Sequence, residues 1–276
     1  MKLFKSIIIT AIMLLSVNAM AQEESVDLFS VPLSNPNQPG KLIVNQLTGS
    51  IDVVAYEGKE VVVKAVIGQD DDCDSCHKKG SNSNGMKKIS NASLNIGAEE
   101  KDNVIEIENE LWNRKTDLSI KVPKNFSLKL STVNHGDINV SGVNGDMEIS
   151  NVNGEITLEK VSGSASVDTT NGEVKVSFEN ITSDSDMAFS SFNGNVEVTF
   201  PSSLRANVKA KSDMGDVYTD FDMAVAKNEP EVEKGSSSGK YKVKIEQWVK
   251  GTINGGGPEM LFKTFNGDIM IKSKQN

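Results

Sequence analysis

The chain has 276 residues and a formal net charge of −9, with 37% hydrophobic and only 5% aromatic residues. An acidic chain repels phosphate backbones and anionic lipids, which argues against nucleic acid as a partner. So few rings argue against a groove for stacking on bases or sugars, and two cysteines cannot staple a fold of this size.

The N-terminus opens with Lys2 and Lys5, continues through an apolar run from Ile7 to Val17, and reaches Ala19-Met20-Ala21. That order predicts a secretory signal over residues 1–21, cut before Gln22. The run is too short for a membrane span, which needs about 20 apolar residues. No later stretch is apolar enough to cross a bilayer, so no transmembrane segment is expected after cleavage. No cysteine follows the cut to carry a lipid. The expected location is outside the cytoplasm: periplasm, cell surface or extracellular space.

Residues 22–116 read as an N-terminal strand region. Leu42 to Val44, Ile51 to Val54, Val61 to Ile67, Ile89 to Ile96 and Val104 to Ile107 are runs rich in β-branched residues, separated by glycine and polar turns. A polar insertion at 68–87 interrupts them. It contains Cys73-Asp74-Ser75-Cys76-His77, the spelling of a c-type haem attachment motif. Its neighbours are Asp70 to Asp72, Lys78 and Lys79, with no apolar wall to cover a haem. Metal capture by Cys73, Cys76 and His77 is an alternative. The reading favoured is a surface disulfide or free thiols, with no cofactor.

Residues 117–222 are repetitive. Gly136, Gly145, Gly154, Gly163 and Gly172 follow one another every nine residues, and Gly194, Gly215 and Gly267 continue the series at longer intervals. Asparagine precedes several of them: Asn144, Asn153, Asn171, Asn193 and Asn266. Two and four residues after each glycine the side chain is usually apolar, as in Ile138/Val140, Ile156/Leu158, Val174/Val176 and Ile269/Ile271. Gly49 with Ile51/Val53 begins the same pattern. Asn-Gly pairs tolerate positive φ and make tight turns, and the alternation gives each strand one inward face. A five-residue strand cannot bury that face alone, so successive coils must stack. Two nine-residue units per coil give about 18 residues per rung. The prediction is an all-β, repetitive β-solenoid of short stacked strands, with right-handed winding favoured. A series of hairpins is the rival reading, but it does not require the same phase after every glycine.

Residues 223–239 read as a linker, including a Gly235-Ser236-Ser237-Ser238-Gly239 run that lacks the strand–helix context of a nucleophile elbow. Residues 240–276 read as strands that close the solenoid. One position after the turn glycines lies a column of acids: Asp137, Asp146, Glu155, Glu173, Asp216 and Asp268. Stacked carboxylates such as Asp137, Glu155 and Glu173 could bridge a hard cation; a solvated acidic face is the expectation. No carboxylate pair stands out for glycoside chemistry, so no catalytic residue is assigned.

The stretch from about Asp117 to Asp222 resembles a bacterial family of candidate adhesins with β-strand repeats, the toastrack domains. The resemblance is carried by SIKVPKNFSLKLSTVNHGDINVSGVNGDMEISNVNGEITLEKVSG, by TTNGEVKVSF and by FSSFNGNVEVTFPSSLRANVKAKSDMGDVYTDFD. Residues 40–110 and 240–272 look like the flanking strands of the same family. The resemblance implies an exported, solenoid-like envelope domain and brings no catalytic residues with it. The function expected is therefore non-enzymatic, an adhesin or envelope scaffold with a protein or glycan ligand. A periplasmic partner in envelope-stress signalling is the alternative; a carbohydrate-active enzyme on a β-helix comes last.

Overall fold

Alternating β-branched and polar residues dictate strands, and the computed structural model contains no helix among the residues it describes: 26–67, 96–109, 114–182, 184–226, 231–234, 241–244 and 248–274. Residues 73–77 and the rest of the polar insertion lie outside that set, as do residues 1–25. In chain order the strands begin with β1 (Val26–Pro32), β2 (Gly40–Asn45), β3 (Ile51–Tyr56) and β4 (Glu60–Ile67). Then come β5 (Ile96–Lys101), β6 (Val104–Asn109), β7 (Thr116–Pro123) and β8 (Phe126–Thr132). The Asn-Gly region supplies β9 (Ile138–Ser141), β10 (Asn144–Asn153), β11 (Ile156–Asn171), β12 (Val174–Ile181), β13 (Met187–Asn193) and β14 (Val196–Phe200). Next are β15 (Ala206–Ser212), β16 (Val217–Thr219), β17 (Met223–Val225), β18 (Glu231–Lys234) and β19 (Tyr241–Lys244). Last are β20 (Val249–Ile253), β21 (Glu259–Asn266) and β22 (Ile269–Ser273).

These strands wind into a flattened solenoid with two parallel faces. Each coil places one strand on the first face, turns at a glycine corner, places a second strand on the other face, and turns back at an opposite corner. The first face runs β6, β2, β8, β10, the second half of β11, β13, β21 and β15. The other face runs β7, β3, β9, the first half of β11, β12, β14, β22 and β16. All of these neighbours are parallel, which removes the hairpin reading. Ile138, Ile156, Val174, Val196, Ile269 and Val217 share one register line. The repeat spacing is therefore two nine-residue units per coil, as the sequence indicates.

The spatial order of coils is not the order of the sequence. The β2–β3 coil lies between β6–β7 and β8–β9. The β21–β22 coil lies between β13–β14 and β15–β16. Thus residues 240–276 do not simply close the end; their last coil is slotted in one place from it. Antiparallel strands finish the stack: β4 and β1 beyond β7, β5 beyond β6, and β20 then β17 beyond β15. Two strands fall where the sequence suggested a linker, β17 and β18. Each is short, too brief for its alternation to register, and is fixed by pairing with β20 and β19 respectively.

Between the faces, the apolar positions after each glycine meet: Ile138, Val140, Met147, Ile149, Ile156, Leu158, Val174 and Val176 are all buried. Toward the C-terminal end the filling changes to rings. Phe178 stacks on Phe200 at 5.3 Å and Phe189 on Phe262 at 5.4 Å, while Phe178 and Phe189 meet edge to face at 6.2 Å. These rings bridge the two sheets, and burying each one stabilises the fold by about 2–3 kcal/mol.

Candidate recognition surface

The glycine corner is where the repeat is most regular, and close approach explains its composition. A Cβ on Gly154 would lie 2.1 Å from the Gly136 carbonyl oxygen, and the same clash recurs between Gly172 and Gly154 and between Gly194 and Gly172. Gly136 and Gly154 do not have positive φ. At these two positions glycine is needed because adjacent coils pass too near for a side chain; at Gly49 and Gly267, with φ of +120° and +147°, a positive φ adds to the same close approach.

Three residues build the corner around each glycine. Three positions before it, or four at Gly136 where His135 intervenes, stands a short polar side chain that points inward and hydrogen-bonds the glycine carbonyl of the neighbouring coil. Thr132 Oγ1 donates to Gly49 O at 3.0 Å, Asn151 Nδ2 to Gly136 O at 3.0 Å, and Thr169 Oγ1 to Gly154 O at 3.1 Å. Ser191 and Thr264 repeat the bond to Gly172 and Gly194, each at 2.9 Å. This buried polar column escaped the reading of the sequence, although a Thr, Ser or Asn two positions before each ladder asparagine was there to be seen.

Immediately before the glycine, asparagines form a ladder along the outside. Asn153 Nδ2 donates to Asn134 Oδ1 at 3.1 Å, Asn171 to Asn153 at 2.9 Å, and Asn193 to Asn171 at 2.8 Å. Asn266 stands in register with Asn193. Asn144 is not a member; it lies at the opposite corner and bonds Asn125 Oδ1 at 2.9 Å.

Between the buried polar residue and the ladder asparagine, a third column faces solvent: Leu47, Val133, Val152, Thr170, Phe192 and Phe265, in coil order. Phe192 is 51% exposed and Phe265 41% exposed, yet their rings stack at 4.9 Å and 3°. A largely apolar ridge, interrupted by Thr170 and with Val133 half-buried, therefore runs along one edge of the solenoid, flanked by a row of amides.

The acids after the glycine do not form a single line. Asp137, Glu155 and Glu173 do stack, followed by Asn195, Asp268 and Asp216, but Asp146 belongs near the opposite corner, where it accepts the Ser164 hydroxyl at 2.6 Å. The nine-residue period alternates between the two corners, so every second unit leaves the column. Several carboxylates bind the neighbouring coil's backbone: Asp137 accepts the Glu155 amide at 2.8 Å, Asp117 the Ser50 amide at 2.8 Å, and Asp268 the Asp216 amide at 2.9 Å. Lys175 pairs with Glu173, and this hydrogen bond, then the Glu173 charge, raises the lysine pKa. Among the described residues no group of three or more His, Cys, Asp or Glu is placed to hold a metal ion. Cys73, Cys76 and His77 lie outside the described residues.

Among the described residues no helix is long and apolar enough to cross a membrane. No curated relative matches the sequence. The chain is similar to a crystal structure of a candidate cell adhesion protein from Clostridium sporogenes, at 16% identity over 91% of this chain and 100% of that one, with a TM-score of 0.43. A candidate adhesin from Bacteroides fragilis matches at 10% identity over 92% and 98% of the two chains, TM-score 0.32. One from Parabacteroides merdae matches at 9% over 92% and 98%, TM-score 0.28. Residues 127–254, which hold most of the stacked Asn-Gly coils, match the family model Toastrack DUF4097, and that stretch is similar to the toastrack β-strand repeats.

Proposed function

We propose that this protein is an exported, non-enzymatic recognition rod of the cell envelope, an adhesin or scaffold whose contact line is the Asn-Gly corner. The observation that carries the reading is the exposed Phe192–Phe265 stack beside a hydrogen-bonded asparagine ladder, with exposed Val152 and Leu47 farther along the same column beyond Thr170 and Val133. Exposed rings beside fixed amides supply the two ingredients of a specific contact, apolar area and directional donors. The parallel ladder holds them at strand spacing, about 4.8 Å apart, so little ordering entropy is lost on binding. Export is supported by Lys2, Lys5, the apolar run from Ile7 to Val17 and the Ala19-Met20-Ala21 step.

Two measurements test the proposal. Protein immobilised through its C-terminus should retain a component of envelope extracts, and Phe192→Ser with Phe265→Ser should lower retention about tenfold while moving Tm by only a few degrees. Equal retention by the double variant would remove the corner from the contact. Protease added to whole cells should degrade a surface-displayed chain and spare a periplasmic one, and protection would favour the envelope-stress partner.

A further inference from the structure

The opposite corner carries a different chemistry. There the chain turns from the second face back to the first through Gly142 in one coil and Lys160 in the next, with φ of +72° and +51°. Glycine accepts this left-handed geometry freely, whereas lysine does so at a cost of about 1 kcal/mol. Lys160 lines an open cleft of about 540 Å³ together with Lys124, Asn144, Ser162, Glu179 and Asn180.

The cleft is cationic within an acidic protein. Lys274 donates to Glu179 at 2.8 Å, and this bond and charge, with weaker contributions from Lys160 and Lys124, hold the Glu179 carboxyl below its usual range. Lys274 thus pairs with the one carboxylate of the lining, and neither Lys124 nor Lys160, which line the same cleft, has an ion-pair partner among the described residues. The polar lining is also unspent. Asn144 uses its amide nitrogen on Asn125 and keeps its carbonyl oxygen, while the side chains of Ser162 and Asn180 form no hydrogen bond among the described residues. At Asn180 the cleft adjoins a second one that holds exposed Arg205.

We propose that this cleft binds an acidic saccharide, with Lys124 and Lys160 meeting its carboxylate or phosphate groups and Asn144, Ser162 and Asn180 meeting its hydroxyls. Paired ammonium groups select negative charge, and the amide and hydroxyl groups beside them match a polyhydroxylated body better than a bare anion. The strained lysine where the preceding coil has glycine is the mark of a side chain kept for what it contacts. The site lies on the edge away from the Phe192–Phe265 ridge and stands or falls independently of it.

Calorimetric titration of the whole protein with trigalacturonate, phosphorylated maltotriose, neutral maltotriose and inorganic phosphate tests the proposal. At least one acidic sugar should bind about tenfold or more tightly than neutral maltotriose and inorganic phosphate, and the stronger of the two names the anionic group. Raising salt should weaken it. Lys124→Ala with Lys160→Gly should lower that affinity about tenfold or more. Lys160→Gly alone should raise Tm while weakening binding, a split that a purely structural lysine would not give. Equal affinity for neutral and acidic sugars, equal affinity for inorganic phosphate, or full binding by the double lysine variant would each overturn the assignment, as would no heat from either acidic sugar.

Discussion

At the scale of single residues, the inward polar column is the most exacting part of the repeat. Asn151 occupies a position held by threonine in the coils on either side, Thr132 and Thr169. Its amide nitrogen bonds Gly136 O, but its Oδ1 is buried with no partner. Threonine supplies the same donor without the orphaned carbonyl, so Asn151→Thr is expected to stabilise the protein by about 1 kcal/mol, measured by urea denaturation. A loss of stability would show that the larger amide fills space that the hydroxyl leaves empty. Glu100 makes a different kind of statement. It accepts bonds from Ser34 N at 3.0 Å, Ser34 Oγ at 2.8 Å and Asn103 N at 3.0 Å, and these bonds lower its pKa. Its folded pKa is thus below the unfolded value of about 4.3, so its contribution is present above that pH and lost as pH falls through the folded pKa. The melting temperature of Glu100→Gln should accordingly fall less than that of the parent as acid is added below about pH 4.5. Parallel acid curves would assign the tie between the Ser34 loop and β5 no part in acid sensitivity.

At the scale of strands, inward and outward positions differ sharply in what they tolerate. Ile156 and Val174 lie side by side in adjacent coils, both buried inside the stack, while Glu155 is exposed. Ile156→Asp buries an unpaired carboxylate and should cost about 3 kcal/mol or more, whereas Glu155→Ser should be nearly neutral. Equal Tm values for the two variants would contradict the assignment of faces. This alternation was legible in the sequence because it repeats with fixed phase after most of the turn glycines: Ile138/Val140 and Ile269/Ile271 are apart in sequence yet play one role. The corners were legible only in part. Asn-Gly announced a turn, but the reason for glycine lies in the neighbouring coil, which may be 18 or more than 70 residues away. Asp146 and Asp137 look equivalent along the chain and separate only when the coil is closed. The ridge was harder still, since Phe192 and Phe265 are 73 positions apart and become a pair only through the β13–β21 register.

At the scale of the whole molecule, the insertion of the β2–β3 and β21–β22 coils one place in from each end was not legible, because every coil presents nearly the same pattern to its neighbours. The antiparallel strands at both ends satisfy edges that would otherwise be open to pairing between molecules. Removal of residues 259–276 takes out the coil one place in from the end rather than the end coil itself. Such a truncation should unfold or aggregate the C-terminal coils, visible as early loss of protection at β14 and β15 in hydrogen exchange, and retained protection there would mean that β15 can dock directly on β13.

That same slot gives the molecule a timetable. Synthesis delivers the chain from N to C, so β15–β16 arrives while the place it must occupy is still one coil too close to β13–β14. Its proper bed, β21–β22, emerges some 50 residues later, and until then β13 offers β15 an edge of the right polarity and nearly the right pattern. Closure of this end is thus a late, long-range event, of the kind that slows folding. A chain halted before residue 259 would be exposed to the wrong pairing, and the last strand to appear is the one that decides whether the preceding coils are correctly stacked.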